Sequence, residues 1–198
     1  MELLRDGPLD AATTVVLNHG AGSGMRHEFL QAVAAGFAAA GLAVVRFEFA
    51  YRAAGRRRPD PMPQLLQRLR QAVALAAPRR LVLAGKSMGG RVATMLADEL
   101  GAAAAVVFGY PFHPPKQPAK VRTAHLATLR TPTLILQGER DPFGTPADVA
   151  GYCLPPSITV HWFADGDHSL VPRQKSGHHA ADHFQSAMAA AVAFVSSR

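Results

Sequence analysis

Short apolar runs that are rich in β-branched residues alternate along the chain with longer stretches of helical periodicity. The runs are almost continuously apolar, which is typical of strands covered by helices on both faces and not of strands with one face in water. The pattern therefore predicts strands at Thr13–Asn18, Leu42–Phe47, Arg80–Ala84, Ala104–Phe108, Thr133–Leu136 and Ile158–Phe163.

The stretches between and after these runs predict helices, at Arg26–Ala40, Met62–Ala77, Ser87–Leu100, Thr145–Tyr152 and His178–Val195. Pro78 and Gly101 mark helix ends, because proline cannot continue a helix and glycine tolerates a left-handed cap. Since strands and helices alternate, we expect one α/β domain over residues 1–198. Its mostly parallel sheet should have about six to seven strands, with helices on both faces.

The composition gives the chain a net positive charge. The chain carries 21 basic and 14 acidic residues, a formal net charge of +7, and 17 of the basic residues are arginines. This balance favours anionic partners without favouring a particular fold. A hydrophobic content of 48% excludes the class of disordered proteins.

The single cysteine, Cys153, excludes an internal disulfide and a cysteine-based metal site. The first residues lack the apolar stretch of a signal peptide, so we expect a cytoplasmic protein. The longest uncharged run, between Glu28 and Arg46, is interrupted by Gly36 and Gly41. We interpret it as a helix followed by a buried strand and not as a membrane span. No cofactor and no metal is predicted.

The third predicted strand leads into Gly85–Gly90, which reads G-K-S-M-G-G. This matches the pattern G-x-S-x-G, in which a strand turns sharply into a helix and presents a serine as a nucleophile. Glycine is needed two positions to either side of Ser87 because such a turn crowds its neighbours. A glycine-rich turn with an ordinary helix-capping serine is the alternative interpretation.

A carboxylate and an imidazole follow two later strands. Asp141 comes soon after the fifth predicted strand, and His168 soon after the sixth. Because the carboxyl ends of parallel strands meet at one edge of a sheet, Ser87, Asp141 and His168 can converge there. Their order along the chain is also the order that this turn motif uses. We therefore predict Ser87 as the nucleophile, His168 as its base and Asp141 as the acid that orients the base.

Other acids and histidines lie near these positions. Glu139 could replace Asp141 if the loop runs differently, whereas Asp165 and Asp167 are expected to shape the turn before His168. His161 lies inside a predicted strand and is expected to be packed. The histidines of the last helix are expected to be solvated, and they are His178, His179 and His183.

The loop after the first predicted strand, Asn18–Gly24, is rich in glycine. Acyl transfer needs backbone N–H groups aimed at the oxygen that becomes negative in the transition state. We predict that Ala21 in this loop and Met88 after the nucleophile supply them.

Two nucleotide-binding motifs compete for the same glycines. A P-loop ending at Ser87 is excluded, since it would need glycine at position 80, where Arg80 stands. A dinucleotide fingerprint starting at Gly20 lacks its third glycine, because Met25 stands there. Glu48 nevertheless occupies the place of a ribose-binding acid, so this alternative stays open.

Six segments together resemble one known group of proteins, and they are Asn18–Gly22, Gly55–Asp60, Gly85–Arg91, Gly109–Pro115, Arg122–Leu126 and Gln137–Gly144. The chain resembles small α/β-hydrolase-fold proteins of the hydrolase-like or dienelactone-hydrolase-like type. That group includes a subunit of an animal histone-acetylation complex. The resemblance implies a three-layer α/β-hydrolase fold with little or no cap domain, and a triad of Ser87, Asp141 and His168. It supplies no substrate.

The substrate contacts predicted beside these groups are His19, Gly20, Tyr51, Lys86, Tyr110 and His113. Arg52 and Arg56–Arg58 follow the second strand, and Lys116, Arg122 and His125 follow the fourth. A basic rim would attract acidic or phosphorylated substrates, and a solvated charge run is an equally good interpretation. A nucleic-acid surface is not favoured, since aromatic residues are hardly interleaved with the arginines.

The sequence thus predicts a metal-free serine hydrolase that cleaves an ester or similar acyl bond in a small substrate. The basic rim would suit an anionic substrate. The alternative is a non-catalytic protein of the same fold that binds acidic partners through its arginine-rich segment.

Overall fold

The computed structural model describes residues 1–198. Its strands are β1 (Leu3–Asp6), β2 (Thr14–Asn18), β3 (Ala43–Phe47), β4 (Leu81–Lys86), β5 (Ala104–Phe108), β6 (Thr133–Gly138) and β7 (Ile158–Phe163). Its α-helices are α1 (Glu28–Ala39), α2 (Ala50–Ala53), α3 (Met62–Ala76), α4 (Met88–Leu96), α5 (Pro146–Ala150) and α6 (Ala180–Ser196). Two 3₁₀ turns lie at Leu126–Thr128 and Gln174–Ser176.

The strands form one sheet in the order β1-β3-β2-β4-β5-β6-β7, and only β1 is antiparallel to its neighbour. After β2 the chain adds β3 on one side, and it then returns to add β4 on the other. Strands β2 and β4 therefore flank the point where the winding direction reverses, and their carboxyl ends open a crevice there. The loops after β2 and β4 carry the two glycine-rich motifs.

Both faces of the sheet are covered, which explains why the strands are so continuously apolar. Within β2, Val15 and Leu17 face one core with residues of α1 and α6. Val16 faces the opposite core, together with residues of α3 and α4. Alternate side chains of one strand thus enter two different cores, and no position of β2 is left for a solvent-exposed polar residue. This is the predicted mostly parallel sheet between helices, in an α/β-hydrolase fold without a lid.

All six predicted strands and all five predicted helices are present, and their ends differ from the predicted ends by a few residues. Two short elements were not predicted. Strand β1 pairs with β3, and Asp6 there binds the guanidinium of Arg46 through two hydrogen bonds of 2.9 and 3.0 Å. A four-residue edge strand with two charged positions has no apolar pattern that could reveal it. Helix α2 is a single turn, below the length at which periodicity can be recognised.

Two histidine predictions were wrong. His161 is exposed, because β7 is the last strand of the sheet and its alternate positions face water. His183 is buried, because its face of α6 packs on the sheet, and its Nδ1 donates to the carbonyl of Leu170 at 2.8 Å. His178 and His179 are exposed, as expected. None of the helices combines the length and the apolar character needed to cross a bilayer.

Candidate active site

Ser87 lies in the sharp turn between β4 and α4, with φ of 52° and ψ of −117°. This backbone conformation is costly for a residue with a side chain and is found at functional turns. The turn explains the glycines of the motif. A Cβ on Gly85 would collide with the backbone of Gly89, and a Cβ on Gly89 would lie 2.5 Å from the carbonyl oxygen of His19. Close approach of backbones, and not flexibility, therefore requires glycine at both positions.

Asp141 and His168 are directly bonded. The Nδ1–H group of His168 donates to Oδ2 of Asp141 at 2.7 Å. Asp141 is fully buried, while about a fifth of the His168 side chain is exposed (22%). The bond fixes the ring orientation and leaves Nε2 free to accept a proton.

Gln137, the penultimate residue of β6, holds this aspartate in place and was not predicted. Its Nε2 donates to Asp141 Oδ2 at 2.8 Å, and its Oε1 accepts from the backbone N–H of Tyr110 at 2.7 Å. The second carboxylate oxygen of Asp141 accepts from the N–H of Phe143 at 2.9 Å. A polar glutamine at the end of an apolar strand was the only sequence signal for this role, and the structure shows that it is fully buried.

The loop that carries His168 is shaped by the other acids. Asp167 Oδ1 accepts from the N–H groups of Ser169 and Val171, at 2.7 and 3.0 Å. Asp165 forms ion pairs with Arg140 and Arg173, so the pKa of Asp165 is lowered to about 2, mainly by its hydrogen bond from Arg173. The carboxylate of Glu139 accepts from the N–H of Asp165 and does not contact His168. Asp141, and not Glu139, is therefore the acid bonded to His168.

Lys86 lies beside the nucleophile turn and donates from Nζ to the carbonyl oxygen of His168. Its Nζ is also 5.7 Å from the ring centre of Phe29. Burial lowers the pKa of Lys86 to about 8, although the carboxylates of Asp141 and Asp167 oppose this shift. The ammonium group is thus used inside the protein, as a link between the nucleophile turn and the His168 loop.

Ser87 and His168 line one cleft of about 300 Å³, together with Phe29, Lys86 and Phe143. We call it the histidine cleft. The ring of Phe143 packs against the His168 ring, with 4.4 Å between their centres. No hydrogen bond joins Ser87 to His168 in this arrangement. Gly20 and Ala21, from the loop after β2, also line this cleft.

A second cleft of about 440 Å³ adjoins the first. It shares Ala21, Ser87 and Phe143 with the histidine cleft and adds Arg91 and Arg122, so we call it the arginine cleft. Ser87 therefore lies where two depressions of different character meet. Arg91 was not predicted as a site residue, although it follows Ser87 by one helical turn.

The predicted oxyanion donors lie next to Ser87. Ala21 lines both clefts, and its N–H donates to no acceptor within the protein. Met88 is the first residue of α4, where N–H groups have no partner inside the helix. Both groups are therefore available to an oxygen bound near Ser87.

The prediction of four substrate contacts must be corrected, because these side chains are buried and none of them lines either cleft. His19 is fully buried: its Nδ1 donates to the carbonyl of Gly20 at 2.8 Å, and its Nε2 accepts from the N–H of Phe49 at 3.1 Å. Burial lowers the pKa of His19, which favours this neutral form. It is a structural histidine that joins the loops after β2 and β3. Tyr51 is also fully buried and packs near the His19 ring, at 5.9 Å between centres.

Tyr110 and His113 are buried behind the residues that line the site. The hydroxyl of Tyr110 donates to the carbonyl of Arg122 at 2.9 Å, and burial raises the pKa of this tyrosine. His113 is 4% exposed, and its Nδ1 donates to the carbonyl of Pro114 at 2.9 Å. Of the six predicted contacts, only Gly20 and Lys86 line the site.

Arg56–Arg58 are exposed and line neither cleft. The glycine-rich loop after β2 does not lead directly into a helix, because α1 begins at Glu28, beyond the last of these glycines, Gly24. A dinucleotide fingerprint would require the helix to start within the glycines. No group of three or more His, Cys, Asp or Glu side chains is arranged to hold a metal ion.

Comparison with known proteins agrees with this architecture. Residues 11–196 match the α/β hydrolase domain family, and the chain belongs to that family. No curated protein matches it significantly in sequence.

Among solved structures, it is similar to XC6422 from Xanthomonas campestris, described as an α/β serine hydrolase without a lid. The TM-score is 0.70 at 19% identity, covering 98% of this chain and 85% of that one. It is also similar to Est1E from Butyrivibrio proteoclasticus, solved with ferulic acid bound. There the TM-score is 0.76 at 15% identity, covering 98% and 95% of the two chains. The first of these proteins is a serine hydrolase by name, and the similarity of both supports an α/β-hydrolase fold for this chain.

Proposed function

We propose that this protein is a serine hydrolase that cleaves an ester or similar acyl bond through Ser87, His168 and Asp141. One observation carries the proposal: a serine in a strained turn lines the same cleft as an imidazole whose Nδ1 is bonded at 2.7 Å to a buried carboxylate. Strain, burial and an oriented base are features that a purely structural turn does not need.

In the proposed mechanism, Nε2 of His168 takes the proton of the Ser87 hydroxyl as Oγ attacks the substrate carbonyl. The two groups must first come within about 3 Å of one another, through side-chain rotation on substrate binding. The N–H groups of Ala21 and Met88 then bind the oxyanion of the tetrahedral intermediate. His168 returns its proton to the leaving alcohol, and the acyl group stays on Ser87.

In the second half-reaction, His168 takes a proton from water, and the resulting hydroxide attacks the acyl-enzyme. Collapse of the second tetrahedral intermediate releases the acid and returns the proton to Ser87. Asp141 stays ionised throughout and stabilises the imidazolium that forms twice in each cycle. The substrate is proposed to be a small ester, because the site lies between two open clefts of about 300 and 440 Å³. A single domain and a cytoplasmic location are part of the same proposal.

The test is labelling by a fluorophosphonate probe and hydrolysis of a short p-nitrophenyl ester. Wild type should be labelled and active, and Ser87→Ala should lose the label and several orders of magnitude in kcat, about 10⁶ where a whole triad acts. Ser169→Ala is the matched control, since this serine also lines the histidine cleft and should keep the label. A wild-type protein that is neither labelled nor active would contradict the proposal.

A second candidate function is binding of acidic partners without catalysis. Its support is the exposed segment Arg56–Arg58, in which only Arg56 forms an ion pair, with Asp60 at 2.7 Å. The finer resemblance, to dienelactone-hydrolase-like proteins and to a subunit of a histone-acetylation complex, is compatible with either candidate. An inactive, unlabelled protein that still binds acidic peptides would favour this second function.

A further inference from the structure

The arginine cleft contains two guanidinium groups without an anionic partner. Arg91 extends from α4, and Arg122 lies in the long connection between β5 and β6. None of the ion pairs of the structure includes either residue. The Nε atom of Arg91 is buried and has no hydrogen-bond partner. A buried cationic donor without a partner is costly, and it marks a position where a ligand can supply the missing acceptor.

The surroundings of the two arginines disfavour a second positive charge and supply no carboxylate that pairs with either guanidinium. Burial lowers the pKa of Arg122, and the nearby charge of Arg91 lowers it further. The same two causes lower the pKa of His125 to about 4, so this neighbour is uncharged at neutral pH. The two cations thus line a cleft whose neighbouring imidazole, His125, is neutral.

One carboxylate also lines the arginine cleft, and it is already engaged. Oδ1 of Asp60 is bonded to Arg56 at 2.7 Å, while its Oδ2 is buried without a partner. The charges of Arg56 and Asp60 offset one another, so Arg91 and Arg122 give the cleft a net positive charge.

The protein holds both arginines by their backbones. The hydroxyl of Tyr110 lies near the Arg91 side chain, and no carboxylate pairs with either guanidinium. The hydroxyl of Tyr110 and the N–H of Arg122 fix the Arg122 backbone, through bonds of 2.9 Å to its carbonyl and 2.7 Å to the carbonyl of Phe112. The hydroxyl of Thr94 donates to the carbonyl of Arg91 at 2.9 Å. Such support fixes the points from which the two side chains extend, and both guanidinium groups can bind the oxygens of an anion in the cleft.

We propose that the arginine cleft is an anion subsite, in which Arg91 and Arg122 bind the carboxylate of the substrate while its ester bond lies at Ser87. This proposal rests on the proposed esterase function and names its substrate class. Arg91 follows Ser87 by one helical turn, about 6 Å along the axis. The carboxylate should therefore lie a few carbon atoms from the scissile carbonyl, as in a monoester of a short dicarboxylic acid.

The experiment compares two esters of equal length, mono-p-nitrophenyl glutarate and p-nitrophenyl pentanoate, on wild type, Arg91→Met and Arg122→Met. The measured quantity is the ratio of kcat/KM for the anionic ester to that for the neutral ester. This ratio does not depend on how much of a variant is correctly folded. Either substitution should lower it about 10- to 100-fold, mainly through KM for the glutarate ester, because a charge-assisted bond is lost. Arg130→Met is the matched control, since Arg130 is exposed and lines neither cleft, and it should leave the ratio unchanged.

A second measurement distinguishes carboxylate from phosphate as the bound group. Free glutarate and inorganic phosphate are each added as inhibitors of pentanoate-ester hydrolysis. Inhibition by glutarate that is lost in Arg91→Met supports the carboxylate assignment. Inhibition by phosphate alone would replace it with a phosphate subsite and overturn the substrate class proposed.

The subsite and the esterase proposal fail in different ways. If wild type hydrolyses the neutral ester and takes the fluorophosphonate label but neither arginine variant changes the ratio, the subsite is wrong and the hydrolase stands. If wild type is inactive and unlabelled, the hydrolase is wrong. The subsite is then tested by thermal stabilisation with glutarate, which must disappear in Arg91→Met for the anion site to survive.

Discussion

The two clefts that meet at Ser87 are both lined by partly buried basic side chains, which have opposite roles. In the histidine cleft, the ammonium of Lys86 donates to the carbonyl of His168, and the carboxylates of Asp141 and Asp167 lie near enough to favour its charge. In the arginine cleft, Arg91 and Arg122 have no such partner. A cation with an internal acceptor stabilises the arrangement of the site, whereas one without an acceptor is available to substrate.

This difference separates two kinds of effect that mutation can have on the proposed enzyme. Changes in the histidine cleft should affect every substrate alike, because they alter the groups that break the bond. Changes in the arginine cleft should affect anionic substrates selectively. Substitutions in each cleft, changes of pH and changes of salt can therefore separate the two kinds of effect.

Asp141→Asn should lower kcat up to about 10⁴-fold, because the amide favours the wrong tautomer of His168. The glutarate and pentanoate esters should lose activity by the same factor, which leaves their ratio unchanged. Steady-state kinetics with both esters measure this. Glu139→Gln serves as the control and should stay near wild type, since Glu139 does not contact His168. Wild-type turnover in Asp141→Asn would remove this residue from the mechanism.

Lys86→Met should lower kcat about 10- to 100-fold, because the His168 loop loses its link to the nucleophile turn and the imidazole is less well positioned. The loss should again be equal for the two esters and should appear in kcat and not in KM. A loss confined to the anionic ester would instead make Lys86 a substrate-binding cation, and the contrast between the clefts would fail.

The stability of wild type relative to Lys86→Met should rise between pH 8 and 10.5. Burial lowers the pKa of Lys86 from 10.5 in the unfolded chain to about 8 in the folded protein. In this interval the unfolded state therefore binds more protons, and raising the pH favours the folded state. The expected gain is on the order of 1 to 2 kcal/mol. Urea unfolding of both proteins at pH 7, 8, 9 and 10 measures it, and a difference that does not vary with pH would contradict the prediction.

Salt should weaken hydrolysis of the glutarate ester more than that of the pentanoate ester. Arg91 and Arg122 attract the anionic ester through charges that are partly open to solvent, so ions screen them. We expect kcat/KM for the anionic ester to fall about 2- to 5-fold between low and physiological ionic strength, with little change for the neutral one. Equal salt dependence of the two esters would mean that the arginine cleft does not steer substrate.

The sheet, and the edge of it where the site lies, could be predicted because they depend on local patterns. Strands with both faces covered are apolar throughout, and G-x-S-x-G marks a strand that turns into a helix at once. Asp141 and His168 could be placed because each comes soon after such a strand. Strand β1 could not be predicted, since its existence depends on pairing with β3 and on the contact between Asp6 and Arg46.

The side chains around the site were harder to predict. His19, Tyr110 and His113 lie in loops, and Tyr51 lies in the single-turn helix α2. All four follow strands at the correct edge of the sheet, which is why their sequence positions suggested substrate contacts. Each is turned inwards to satisfy loop backbone or to pack on its neighbours. Whether a loop side chain faces substrate or core depends on a few backbone dihedral angles that no periodicity encodes.

Residue patterns alone were enough to predict the alternation of strands and helices, the glycine turn around Ser87 and the chain order of serine, aspartate and histidine. Each of these features depends on residues that are close together or regularly spaced. The folded structure was needed to show that Gln137 holds Asp141, that Lys86 is bonded to the His168 loop and that Arg91 and Arg122 have no internal anion. Those properties depend on which groups from distant segments come within a few ångströms of one another, and on how much water the packing leaves between them.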